Sequence, residues 1–134
     1  MGAWGAGIFE NDTACDFAAE VVNGAGLQAL VQALDRVLIP AKDCLLARDA
    51  DRGLAAAEIV ARLNGSPGEQ TAYTAEIDTW IEGSSTPISD ELLEKARRAI
   101  ARILTEPSEL VELWTESEYF DDWKRHVAEV SKRL

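Results

Sequence analysis

Apolar residues in this chain recur at intervals of three and four almost throughout, and nowhere alternate convincingly at two. That spacing gathers them on one side of an α-helix. Ala14, Phe17, Ala18, Val21 and Val22 form a first stripe. It follows Asn11, Asp12 and Thr13, each able to accept a hydrogen bond from an open helix N–H. Thr13 and Asp16 have the spacing of a capping box, with Asp in place of the usual Glu. Asn23-Gly24 is expected to end the helix, because both residues tolerate a left-handed cap. A second stripe, Leu27, Leu30, Val31, Leu34, Val37 and Leu38, starts near Gly26 and runs until Pro40 stops or kinks it. The apolar triplet Cys44-Leu45-Leu46 is too short to assign. Asp49 or Asp51 can cap a third helix reaching about Leu63. Its run Leu54-Ala55-Ala56-Ala57-Glu58-Ile59-Val60-Ala61 is apolar nearly all round, which predicts burial on several sides. Asn64 to Gly68 is a strong terminator.

The second half continues in the same period. Tyr73, Ile77, Trp80 and Ile81 predict a short helix over about 72–82. Ser89 caps a fifth helix, with Asp90 and Glu91 suited to its positive end and Leu92, Leu93, Ala96, Ile100 and Ile103 as its stripe. Pro107 breaks the chain, Ser108 caps a segment with Leu110, Leu113 and Trp114, and Ser117-Glu118 interrupts it. Phe120, Trp123, Val127, Val130 and Leu134 make the last stripe. The expectation is all-α: one compact domain over 1–134, a bundle of five to seven helices joined by short loops, with an ordered glycine-rich N-terminal segment.

Charge narrows the partners. The 134 residues carry 24 acidic against 13 basic side chains, a formal net charge of −11. Each phosphate contact normally uses a Lys or Arg, so nucleic acid is disfavoured; a basic protein or a metal cation suits the field better. Two cysteines, Cys15 and Cys44, are too few for a disulfide framework and read as free thiols of a reducing compartment. No run approaches the ~20 apolar residues of a membrane span, and no basic start followed by an apolar run marks a signal peptide. Met1-Gly2 lacks the Ser or Thr that myristoylation wants, since position 6 is Ala6. A cytoplasmic protein, with no cofactor assigned, is expected.

The N-terminus concentrates the unusual chemistry. Gly2, Gly5 and Gly7 surround Trp4, followed by Ile8, Phe9 and the polar Glu10-Asn11-Asp12-Thr13. No Gly-Lys-Ser/Thr ending follows and no strand can precede, so this is not a phosphate loop. The reading is of backbone passing close beneath neighbouring helices, with Trp4 as an anchor. Candidate binding residues are Trp4, Glu10, Asn11, Asp12, Asp16 and Glu58. Asp12 and Asp16, four apart, share a helix face and with Glu10 could hold Mg²⁺ or Ca²⁺; the helix N-terminus accounts for the same carboxylates. Glu58 precedes Arg62 by four residues, a favourable pair on a helix; if buried, it requires a partner or its pKa rises. Asp49-x-Asp51-x-Gly53 departs from a calcium loop, with glycine one place early and Val60 at the twelfth position. His126, the single histidine, lies one turn from Asp122, which makes zinc improbable. No nucleophile elbow or zinc-protease motif occurs, and no catalytic residue is assigned.

The segment Gly2-Ala3-Trp4-Gly5-Ala6-Gly7-Ile8-Phe9-Glu10-Asn11-Asp12, then Ala14, Asp16 and Phe17, resembles a bacterial family of uncharacterised proteins, the domain of unknown function 4259. Ala55 to Ala61, Ser108-Glu109-Leu110, Leu113-Trp114 and Asp122-Trp123 extend the resemblance essentially end to end. Ala3 stands where that family more often has Thr, and Thr13 where it has Asp, one carboxylate fewer at the helix start. The resemblance implies one compact domain and no particular activity. Size and charge lead to an interaction module for a basic protein partner, an immunity-type role being one concrete version. The alternative is a carboxylate-based metal-binding protein or enzyme, using Glu10, Asp12, Asp16 and Glu58 around a pocket closed by Trp4. DNA mimicry by an acidic surface is a third. Oligomeric state stays open.

Overall fold

The computed structural model describes residues 3–39, 44–84 and 87–134. Its α-helices are α1 (Asp12–Glu20), α2 (Gly26–Leu38), α3 (Ala47–Leu63), α4 (Ala75–Glu82), α5 (Asp90–Ile103), α6 (Glu109–Thr115) and α7 (Phe120–Arg133), with a π-helical turn, Val21–Ala25, joining α1 to α2. Seven α-helices and no strand lie among the described residues. The fold is all-α, as expected. Pro40, the expected stop of the second helix, lies outside the described residues, as do Met1 and Gly2. No helix of the described residues is long and apolar enough to cross a membrane.

α3 is the hub. It packs against each of the other six α-helices, and every residue from Gly53 to Arg62 is buried. The run of alanines explains this: small side chains let helices approach closely on several faces at once. Leu54, Ile59 and Val60 then fill the gaps between α1, α2, α5 and the C-terminal helices, each worth about 1.5–3 kcal/mol of apolar burial.

Two helix boundaries differ from expectation, the starts of α3 and α4, the first for a tertiary reason. α3 starts at Ala47 rather than after Asp49, and no side chain of its own caps it. The carboxylate of Glu109, at the start of α6, accepts the Ala47 N–H at 2.8 Å. Around it, Leu45 N–H donates to the Pro107 carbonyl and Glu109 N–H to the Leu45 carbonyl. The expected stop at Asn23-Gly24 holds: within the Val21–Ala25 turn Gly24 takes φ +129° and kinks the chain between α1 and α2, a conformation that favours glycine. α4 begins at Ala75, so Tyr73 stands outside it and is exposed. Of the three capping candidates before α1 it is Asn11 that caps, its Oδ1 accepting from Ala14 N–H at 2.8 Å, so Thr13 and Asp16 lie inside the helix and form no capping box; Ser89 caps α5 as expected, accepting from Leu92 N–H. Ser108 occupies the cap position of α6, but its hydroxyl is buried without a partner.

α3 comes close against α2 at Gly53, where an added Cβ would lie 2.5 Å from Val37 Cγ2. Gly53→Ala is therefore expected to lose about 1–3 kcal/mol by overpacking, seen as a lower urea midpoint at unchanged slope.

Candidate functional site

The N-terminal segment closes on itself. Ala3 pairs with Asn11 as an antiparallel bridge, Trp4 N–H donates to the Glu10 carbonyl at 3.0 Å, and Glu10 N–H donates to the Gly7 carbonyl at 3.1 Å. Inside this loop the Glu10 carboxylate accepts the Gly7 N–H at 2.9 Å. Two glycines lie against that side chain. A Cβ on Gly5 or on Gly7 would come within 2.5 Å of a Glu10 carboxylate oxygen. Asn11 adds two ties, donating to the Ile8 carbonyl while capping α1. Phe9 is buried in the core, and the loop lies over Trp114 and Trp123, whose rings stack 6.0 Å apart. Trp4 is not the anchor expected of it. It is 49% exposed and leans on Tyr73, ring centroids 5.7 Å apart. Phe9 takes the core place because the loop turns at Gly5–Gly7 and points Trp4 outward.

Glu58 is buried, its side chain only 7% exposed, and it has two partners. Arg62 Nε donates to Oε2 at 3.1 Å. Arg133, at the end of α7, meets both oxygens, Nη1 to Oε2 at 2.8 Å and Nη2 to Oε1 at 2.5 Å. Arg62 is held further by Asp78 of α4 at 2.6 Å and by the Glu69 carbonyl at 2.6 Å. Arg133 is held further by Glu129 and by the Ser66 carbonyl. Burial works against the charge on Arg133; its hydrogen bonds to Glu58 and Glu129 outweigh that, so its pKa rises.

Between the N-terminal loop, the 69–74 turn and α7 opens a cleft of about 610 Å³. Glu10, Glu58, Glu69, Asp122 and Glu129 line it, against two guanidiniums, Arg62 and Arg125, with His126 and Tyr73 at its walls. Arg125 is paired with Asp122. The six candidates from the sequence thus divide. Glu10 and Glu58 share the cleft, and Trp4 stands at its margin on Tyr73. Asn11 is consumed as a cap. Asp12 and Asp16 are exposed on α1 and line a separate depression with Glu20, Arg48, Asp51 and Arg52. Glu10 therefore does not join Asp12 and Asp16. Among the described residues no group of three His, Cys, Asp or Glu side chains is placed to hold a metal ion.

Sequence reasoning missed Arg133, Tyr73 and Asp51 as members of these sites. Arg133 is 75 residues from Glu58, a separation that no local spacing reports. Tyr73 was assigned to a core stripe. Asp51 sits on α3 beneath the N-terminal loop, where burial pushes its carboxyl up to about 7. The thiol of Cys15, donating to the Phe9 carbonyl at 3.1 Å, is also pushed up, by burial first and then by Asp12 and Asp16. A thiol so placed is a poor nucleophile. Cys15 and Cys44 are both free.

The family model of a domain of unknown function (DUF4259) matches residues 2–126 of the chain. No curated protein and no solved structure matches it.

Removing Glu58 would leave two guanidiniums facing one another without their shared anion. Glu58→Ala is expected to cost about 3–5 kcal/mol, measured by urea unfolding. Asp51 gives a pH signature. Its pKa in the folded chain lies above the unfolded value of 3.8, so the folded state holds the proton more tightly. The stability this adds is full below the unfolded pKa and is lost as pH rises to about 7. Melting temperatures of Asp51→Asn and the parent protein should therefore converge near pH 4 and separate up to about pH 7, the variant higher. A constant offset across that range would contradict the placement of Asp51.

Proposed function

The chain belongs to the DUF4259 family, and on that premise we propose that it is an interaction module whose N-terminal cleft receives a basic segment of a protein partner. The observation that carries this reading is the lining of the cleft: five carboxylates against Arg62 and Arg125, with Arg133 alongside on Glu58 and Glu129, beside the exposed Trp4–Tyr73 pair. Arg62 has its donors turned to Glu58, Asp78 and Glu69, and Arg125 is paired with Asp122. The field left in the cleft favours a cation, and concave walls focus it. The aromatic margin suits the same ligand, because lysine and especially arginine are attracted to ring faces, and exposed Trp and Tyr side chains are frequent binding hot spots. An immunity-type role, holding a basic toxin, is the concrete form this takes.

Polycations will gather on any protein of charge −11, so the test compares equal charge losses in two places. Calorimetric titration with a short arginine-rich peptide is expected to show saturable binding that weakens as salt rises. Glu10→Gln/Asp122→Asn, inside the cleft, should weaken it by about tenfold. Asp12→Asn/Asp16→Asn, outside it, should change it little. Equal losses from the two double variants would reduce the effect to bulk charge and overturn the reading.

A further inference from the structure

Arg133 sits in a seat shaped for a guanidinium. Its five N–H groups all have acceptors. Nε and Nη2 face the two oxygens of Glu129 at 2.7 and 2.9 Å. Nη1 and Nη2 face the two oxygens of Glu58, and Nη1 also reaches the Ser66 carbonyl at 2.9 Å. Gly68 leaves room for the planar group, since a Cβ there would lie 2.7 Å from Nη2 and 2.8 Å from Cζ. Two carboxylates engaged edge-on form the bidentate fork that selects arginine over lysine, whose ammonium offers a single point of charge.

The side chain filling this seat comes from the last turn of α7. α7 is fastened to the core by Trp123, Val127 and Val130, and none of its residues beyond Val130 is fully buried. Its last turn is held instead by Arg133, by the partly buried Leu134 and by Arg97, which donates to the Leu134 carbonyl. With so few buried apolar contacts beyond Val130, the charge-assisted hydrogen bonds of Arg133 are what chiefly hold this turn, and they are replaced rather than lost if another guanidinium takes the seat. Such an exchange would leave the helix anchored through Val130 and lift Arg133 out. Glu58, still held by Arg62, and Glu129, both of which also line the cleft, would then each have acceptor oxygens free for the incoming group.

We infer that the seat formed by Glu58, Glu129, Ser66 and Gly68 is an arginine-recognition subsite, occupied in the free protein by Arg133, and that an arginine of the basic partner competes with Arg133 for it. This deepens the docking reading above and rests on it. The C-terminal turn then acts as an internal competitor. It keeps the buried Glu58 satisfied when no partner is bound, and it withholds the subsite from ligands that offer charge without a planar fork.

Agmatine, a small guanidinium compound, tests the seat without any partner. Arg133→Ala is expected to melt below the parent protein. Millimolar agmatine should restore stability to the variant saturably, following mass action, while 1,4-diaminobutane, a dication like agmatine but without the guanidinium, does not at equal ionic strength. Should Arg133→Ala be unfolded, regained helical circular dichroism on adding agmatine is the same readout. Adding Glu58→Gln to the variant should abolish the response. No response, or an equal response to 1,4-diaminobutane, would overturn the seat.

The competition is read separately with Arg133→Gln, expected to bind the arginine-rich peptide several-fold more tightly than the parent does and to gain nothing for the lysine equivalent. Unchanged or weaker arginine-peptide binding would overturn the competitive role. Loss of peptide binding with agmatine rescue intact would place the failure in the docking reading rather than in the seat.

Discussion

Glu58 lies in the most buried helix of the fold, and a carboxylate there is tolerable only if cations reach it. Its own helix supplies Arg62, one turn on, but Arg62 is also drawn to Asp78 and the Glu69 carbonyl. The second cation must therefore come from elsewhere, and α7 brings Arg133 to both oxygens. From this follow the register of α7 against α3, the path of the 64–69 loop that offers its carbonyls, and the tether to α4. Hydrogen bonds to ionised groups are stronger than neutral ones and more costly to break, so these elements are fixed together. Glu58 and Arg62 of this network also line the cleft.

A second carboxylate, Glu10, organises the N-terminal segment in a comparable way. It folds back into its own loop, and the loop has glycine at the two positions where a methyl group would strike it. Phe9 enters the core and Trp4 is turned outward to Tyr73. The motif is thus a structural solution first: a self-bonded loop laid over Trp114 and Trp123. Any role in recognition comes from what that loop leaves facing solvent.

Legibility in the sequence followed the range of the interaction. The helices, the cap at Ser89, a cap for α1 among Asn11, Asp12 and Thr13, and the close-packed character of residues 54–61 all arise from neighbours within about one or two turns. The errors arise at contacts that helical spacing does not report, one distant along the chain and two within turns. The start of α3 depends on Glu109, 62 residues away. Tyr73 carries an apolar ring at helical spacing from Ile77, yet the turn closed by Thr71 and Thr74 precedes α4 and leaves it exposed. Asp12 and Asp16 do share a helix face, but Glu10 lies across the loop from them because its carboxylate prefers the Gly7 N–H.

By itself the sequence determined an all-α chain, the approximate limits of its helices, a strong acidic balance, and the condition that Glu58, if buried, would require a partner. Those follow from periodicity and composition, which act locally or sum over the whole chain. Only the tertiary structure decided that the partner is Arg133, that Glu10 and Glu58 share a cleft while Asp12 and Asp16 do not, and that Trp4 faces solvent. These depend on which distant surfaces meet when the apolar stripes are buried together, and the spacing of residues along one helix carries no record of its neighbour across the core.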